Sequence, residues 1–136
     1  MPIIRTSEKA MGVANRPEWS GVTSAGVFRV PTVNGRFDCH YHDCHEYWLI
    51  YKGKAKIVTE GQAWYVKAGD IVCTQAGDEH DCIEIYEELE AFWFEDVTAP
   101  GGRIGHLHRD TEKAKGHAVA HLPLPVDFPD ALSFRA

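Results

Sequence analysis

Short runs of apolar and aromatic residues alternate with glycine-centred turns through the middle of the chain. The runs cover residues 47–51, 55–59, 63–66, 71–74, 80–86 and 91–95. Between them lie the turn sequences Lys52-Gly53, Glu60-Gly61, Gly69-Asp70 and Gly77-Asp78. Short β-rich runs separated by turns every ~8–10 residues are typical of an all-β sandwich or barrel. No helical apolar period persists through this stretch, so the pattern predicts an all-β fold.

The regions before and after this stretch differ from it in composition and lack its regular apolar runs. Residues 1–34 mix glycine, serine, proline and asparagine with short apolar pieces, and we interpret them as an N-terminal arm with one or two strands, one of them at residues 26–30. Residues 35–98 form the predicted barrel core. Residues 99–136 begin with Ala-Pro-Gly-Gly and contain further prolines, which predicts an irregular C-terminal extension with one short helix near residues 111–115.

Length and charge restrict the possible partners. The chain has 136 residues, enough for a single core, and its formal net charge is −6. An acidic protein lacks the basic surface that nucleic acids and anionic membranes require, so we expect neither as a partner. No apolar run approaches the ~20 residues of a membrane helix, and the first residues do not resemble a secretion signal. We therefore expect a soluble, cytoplasmic protein.

The cysteines at positions 39, 44, 73 and 82 could in principle form disulfides or a zinc site. A reducing compartment disfavours disulfides, and the sequence contains no Cys-x-x-Cys pair. We expect free thiols, mostly buried in strands.

Candidate metal ligands cluster near the start of the barrel stretch. His40 and His42 alternate along an extended segment and so point to the same side, where imidazoles can bind a metal as a pair. Glu46 begins the next strand, and His80 follows the turn at residues 76–79. Three imidazoles and one carboxylate leave positions open on an octahedral ion, as catalytic sites do and structural zinc sites do not.

The spacing of these residues resembles the two motifs of the cupin superfamily. The residues that carry the resemblance, between positions 35 and 84, are Gly35, His40, His42, Glu46, Gly53, Gly69, Gly77 and His80. The resemblance implies a double-stranded β-helix, the jelly-roll barrel of cupins. It also implies that His40, His42, Glu46 and His80 bind one divalent transition metal per chain: Mn, Fe, Ni, Zn or Co.

Strand alternation indicates further candidates for catalysis and substrate contact. Trp48 shares a face with Glu46, and Glu84 shares a face with His80. Glu84 is the candidate catalytic residue, an acid, base or orienting group, and the alternative is a surface carboxylate in an acidic run. Trp48, Tyr65 and Trp93 are candidates for substrate contact, with core packing as the alternative.

Three other histidines are assigned outside the site. His45 should face away from Glu46, and we expect it to pack or hydrogen-bond elsewhere. His106 and His108 form a second His-x-His pair after Pro-Gly-Gly. We interpret them as a solvated feature of the extension, and a cap on the barrel mouth is the alternative.

The resemblance leaves several functions open. An ion with free positions can bind adjacent oxygens of a substrate and stabilise an enediolate, which favours a sugar or uronate isomerase or lyase, with Glu84, Tyr65 or Glu95 as proton-transfer groups. Fe(II) would instead allow a dioxygenase, and a non-catalytic small-molecule-binding cupin is the third possibility. We also expect a homodimer in which the strand at residues 26–30 covers a sheet edge against a second copy.

Overall fold

The fold is almost entirely β, as the pattern predicted. The computed structural model describes residues 3–129. Its strands are β1 (Ser24–Val30), β2 (Arg36–Phe37), β3 (Glu46–Thr59), β4 (Gln62–Lys67), β5 (Ile71–Thr74), β6 (His80–Glu95), β7 (His117–Ala118) and β8 (Ala120–His121), and its one helix is α1 (Thr111–Ala114). The first two residues of the predicted arm and the last seven of the predicted extension lie outside the described residues.

Two long strands organise the sheet. The strand order is β1-β6-β3-β4, with β5 added to β3 and β8 added to β6, while β2 and β7 form a separate pair. All of these pairings are antiparallel except that of β6 with β8. β3 and β6 contain 14 and 16 residues, well beyond the ~5–6 residues of an ordinary strand.

Each long strand changes its buried face along its length. In β3 the buried residues occupy even positions as far as Ile50 and odd positions from Ala55 onward. The pairing of β3 with β6 shifts register several times between Ile50 and Ile57. Such bulges insert an unpaired residue, bend the strand and invert the side-chain alternation. β3 therefore faces the interior along its whole length while it bends.

The bend brings the two ends of β3 together. His80 pairs with Thr59 at the end of β3, yet its ring contacts Glu46 at the start of the same strand. In a straight 14-residue strand these ends would be ~43 Å apart. β3 and its partner β6 must therefore roll into a closed barrel. The metal-ligand candidates meet inside it.

The barrel interior is apolar except around these candidates. Its fully buried side chains include Val30, Ile50, Ile57, Ile85 and Leu89. Nearby, Phe28 packs against Trp48 with 4.9 Å between ring centroids. The polar groups of the site thus lie at one end of a packed hydrophobic core.

The C-terminal segment packs onto the barrel. α1 lies within the stretch where a short helix was predicted, and Asp110 caps its first turn. After it, β7 and β8 pair with β2 and β6, and the ring of Phe128 contacts those of Tyr65 and Tyr86. Within residues 3–129, the structure contains no helix long and apolar enough to cross a membrane.

All four cysteines are free thiols, as expected. Cys44 and Cys82 are buried, whereas Cys73 is exposed. Burial raises the pKa of Cys44 and of Cys82 to about 12, so both stay protonated at neutral pH.

Candidate metal centre and cavity

The barrel brings together the four predicted metal ligands. His40, His42, Glu46 and His80 are each at most 5% exposed, and their donor atoms lie within 4.8 Å of one another. The His40 and His80 Nε2 atoms are 2.9 Å apart, and His80 Nε2 lies 3.1 Å from Glu46 Oε1. His42 Nε2 lies 3.2 Å from the other oxygen of Glu46. Three ring nitrogens and one carboxylate thus converge on one point.

Hydrogen bonds orient three of these side chains. The Nδ1 atom of His40 donates to the carbonyl of Asp38 at 2.6 Å, and that of His42 donates to the carbonyl of Gly105 at 2.9 Å. In the neutral rings, the Nε2 lone pairs therefore point into the cluster, as metal ligation requires. Trp48 Nε1 donates to Glu46 Oε1 at 2.8 Å and fixes the carboxylate.

The donor set fits a divalent transition metal. His42 Nε2 is buried and has no hydrogen-bond partner among the described residues. With metal–donor bonds of ~2.1 Å, neighbouring ligands of an octahedral ion lie ~3.0 Å apart. The separations of 2.9, 3.1 and 3.2 Å agree with that spacing. Imidazole with one carboxylate is also a ligand set suited to Zn, Fe, Ni or Mn.

The electrostatics of the cluster favour a cation. Burial would raise the pKa of Glu46, but His42 and His80 outweigh it and hold that pKa below its usual range. Burial also opposes charge on His42, but Glu46 and Glu95 outweigh it and raise the pKa of His42. Burial, with His80 and His106 close by, lowers the pKa of His40 to about 3, so this ring is neutral.

A cavity of about 540 Å³ opens next to the cluster. Small-molecule sites usually have ~300–1,000 Å³, so a ligand of one or two rings fits. His40 and Glu46 contribute to its lining, and so do the predicted contact residues Trp48 and Trp93. Phe28, Phe37, Val13 and Ile104 add to its apolar wall.

Residues 103–108, which we call the strap, contribute Ile104, Gly105 and His106 to the lining of this cavity, and because these residues are exposed they lie at its mouth. The backbones of Tyr41 and Leu107 exchange hydrogen bonds of 2.9 and 3.0 Å, which anchor the strap to the barrel. The ring of His106 stacks on that of His40, with 3.6 Å between centroids and 7° between planes. His106 and His108 both donate to one oxygen of Asp38, at 2.8 and 2.7 Å.

The alternative for His106 and His108, a cap on the barrel mouth, fits their contacts better than a purely solvated feature, although 51% of the His106 side chain remains exposed. Both are tied to Asp38 beside a metal-ligand candidate, and His106 lines the cavity. The contact joins residues far apart in the sequence through a loop. Strand alternation carries no information about such a contact.

Glu95 also belongs to the site. It is the last residue of β6 and lines the cavity, and its Oε1 lies 3.8 Å from His42 Nδ1. Burial, reinforced by the neighbouring Glu46 carboxylate, raises the pKa of Glu95 to about 7. Of the proton-transfer candidates predicted from the sequence, Glu95 is the one that lines the cavity.

The structure places Glu84 and Tyr65 away from this cavity. Glu84 accepts a hydrogen bond of 2.6 Å from Tyr86, and Tyr65 donates to Asp127 at 2.9 Å. The reason is a bulge in β6: the register shifts between Cys82 and Glu84, and the next fully buried residue is Ile85. The expectation that Glu84 shares the His80 face assumed regular alternation, which this bulge breaks.

His45 faces outward, as alternation predicted. Its ring is exposed, and its Nδ1 accepts a hydrogen bond of 2.9 Å from the backbone of Ala76. It is not part of the four-residue cluster.

The chain belongs to the cupin family. The cupin domain matches residues 27–95, just over half of the 136-residue chain. This region contains all four metal-ligand candidates, most of β1 and the whole of β3 and β6. The family resemblance seen in the motifs is thereby confirmed.

Solved structures support the same fold. A double-stranded β-helix protein of unknown function from Klebsiella pneumoniae matches with a TM-score of 0.55 and 16% identity, over 80% of this chain and 99% of its own. The DMSP lyase DddQ from Ruegeria pomeroyi matches with a TM-score of 0.57 and 20% identity, over 66% of this chain and 44% of its own. A predicted oxalate decarboxylase from Thermotoga maritima matches with a TM-score of 0.51 and 20% identity, over 57% of this chain and 68% of its own. At these identities the likeness concerns the fold.

A curated relative is more similar in sequence. The uncharacterized protein y4oW of Sinorhizobium fredii is 37% identical over 75 residues, which is 55% of this chain. The matched part spans only 35% of the length of that relative.

Proposed function

We propose that this cupin binds one divalent transition metal per chain through His40, His42, Glu46 and His80, and that it catalyses proton transfer on a small oxygen-rich metabolite, as an isomerase or lyase does. The observation that carries the proposal is the convergence of four buried donors at ~3 Å spacing beside an open cavity. Among the structural neighbours, a DMSP lyase and a predicted oxalate decarboxylase use the same fold.

Each residue of the site has a defined role. A bound divalent ion supplies a Lewis acid that polarises a substrate oxygen and acidifies the neighbouring C–H bond. Asp38 and Gly105 hold the rings of His40 and His42 in the ligating tautomer through their carbonyls. Glu95 lies in the cavity wall beside the cluster without belonging to it, so its carboxylate is placed to take and return the substrate proton.

The first test measures the metal. Protein purified without chelator is subjected to elemental analysis, together with the double variant His40→Ala/His42→Ala and the control His45→Ala. We expect about one metal ion per chain in the wild type and in the control, and none in the double variant. Unchanged metal content in the double variant would show that the ion is bound elsewhere.

The second test measures the chemistry. Sugars, uronates and other carboxylic acids are incubated with metal-loaded protein in D₂O, and NMR follows the loss of the α-proton signal. We expect exchange with at least one compound, and a rate about 100-fold lower for Glu95→Gln at the same metal content. Consumption of molecular oxygen in place of proton exchange would identify a dioxygenase and refute this proposal.

A further inference from the structure

The mouth of the cavity is built by segments outside the region that the cupin family matches. The strap contributes Ile104 to His106, and the N-terminal arm contributes Gly12, Val13 and Arg16. The arm is attached to β1 by two backbone hydrogen bonds between Met11 and Ala25, of 2.8 and 3.1 Å. These segments therefore line the same cavity as His40 and Glu46 of the metal cluster.

Arg16 is held in place by a compact turn. The backbone N–H of Gly12 donates to Asn15 Oδ1 at 2.7 Å, and the N–H of Arg16 donates to the carbonyl of Gly12 at 2.9 Å. The turn is thus fixed by backbone and side-chain contacts that do not involve the guanidinium of Arg16. The residue is half-buried and lines the cavity.

The charge of Arg16 has no carboxylate partner among residues 3–129. Arg29, Arg103 and Arg109 each form a salt bridge with an acidic side chain, but Arg16 donates only to the carbonyl of Ser20, at 3.4 Å. Although the chain has a net charge of −6, this guanidinium lines the cavity without an acidic side chain bound to it. Its planar array of donors matches a carboxylate group.

Aromatic rings line the cavity beside the metal cluster, where Phe37 stacks on His40 with 5.6 Å between ring centroids. Phe28, Phe37 and Trp48 contact one another, with centroid distances of 4.9 to 5.9 Å, and Trp93 completes this wall. Rings of this kind favour a ligand with a flat, apolar face. The cavity therefore offers three different environments: a cation, an aromatic wall and a metal cluster.

We infer that the ligand is a small carboxylic acid with a flat apolar face, whose carboxylate binds Arg16 and whose opposite end reaches the metal cluster. That the ligand reaches a metal rests on the proposed function. That its carboxylate binds at the mouth rests on Arg16 alone. Both an aromatic acid and the ring of a uronate have this chemistry.

The test compares acids with neutral analogues of the same shape. Isothermal titration of metal-loaded protein measures the affinity for 4-hydroxybenzoate against 4-hydroxybenzamide, and for glucuronate against glucose. For at least one pair we expect the acid to bind about 10-fold more tightly or better, and Arg16→Gln to remove this preference. The control Arg5→Gln, an exposed arginine of the same arm, should leave it unchanged.

Two results would overturn the inference. One is that neither acid is preferred by the wild type, and the other is that Arg16→Gln retains the full preference. The double variant His40→Ala/His42→Ala separates the inference from the proposed function. If it keeps the acid preference without metal, Arg16 is the carboxylate site whatever the metal does. If the preference disappears in this variant and persists in Arg16→Gln, the carboxylate binds the metal and the inference is wrong.

Discussion

Replacing Gly53 by alanine should destabilise both the barrel and the metal centre. Gly53 has a φ of 95°, and it lies in the bulged part of β3 that brings Glu46 back to His80. A Cβ atom there would overlap the carbonyl of Glu88 and come within 2.9 Å of the Leu89 Cα. Since both neighbours are backbone of the paired strand, relief requires β3 and β6 to separate locally.

The loss in free energy of unfolding that we expect for Gly53→Ala has two contributions. A positive φ costs an alanine about 1–2 kcal/mol. The overlap with Glu88 should raise the total to about 3 kcal/mol or more, near the upper end for a single substitution. Gly61 is the matched control, because it has a φ of 75° and a Cβ added to it would meet no atom within 4 Å. Gly61→Ala should therefore lower the free energy of unfolding only by the amount that the positive φ costs.

Urea unfolding followed by tryptophan fluorescence measures both variants. We expect a lower midpoint and an unchanged slope for Gly53→Ala, because the surface exposed on unfolding stays the same. Metal titration should also show weaker binding, since the bend carries Glu46 to the other ligands. Free energies of unfolding for the two variants within about 0.5 kcal/mol of each other would refute the reasoning.

Further predictions concern the thiols, the metal, the strap and the assembly. At pH 8 a thiol reagent should modify exposed Cys73 at once, but Cys44 and Cys82 only after unfolding, because burial raises the pKa of both to about 12 and keeps the thiolate scarce. Metal at about 100 times its Kd should stabilise the protein by about 2.7 kcal/mol, and a chelator should reverse this shift in urea unfolding. His106→Ala should keep the metal in elemental analysis but accelerate its removal by chelator, because the strap then covers the centre less well. Light scattering at micromolar concentration should give the mass of a homodimer, and a monomer mass would contradict that expectation.

The ligand candidates could be predicted because local rules govern them. His40 and His42 are two residues apart on an extended segment, and Glu46 begins a strand whose first half alternates regularly. His80 follows a glycine turn at the head of β6. The closure that brings β3 and β6 together was implied by the family resemblance.

The cavity residues could not be predicted in the same way. Glu84 lies beyond a bulge, and a single inserted residue moves every later side chain to the opposite face. The sequence shows no mark of where that bulge falls. Arg16 and His106 reach the mouth through turns and loops, where position depends on hydrogen bonds such as those from Gly12 and to Asp38.

The residues that could be predicted are the candidate metal donors, and those that could not be predicted line the mouth of the cavity. The candidate metal donors lie within residues 27–95, on or beside long paired strands whose register and alternation constrain each side chain. Arg16 and His106, which line the cavity near its mouth, come from the arm and the strap outside that region. A change at Arg16 would alter the cation at the mouth without disturbing the ladder that positions the donors, whereas a change in the strap would also reach His42 through the carbonyl of Gly105. A cupin barrel can therefore keep its metal chemistry while its substrate changes, which is why the fold alone does not determine the substrate.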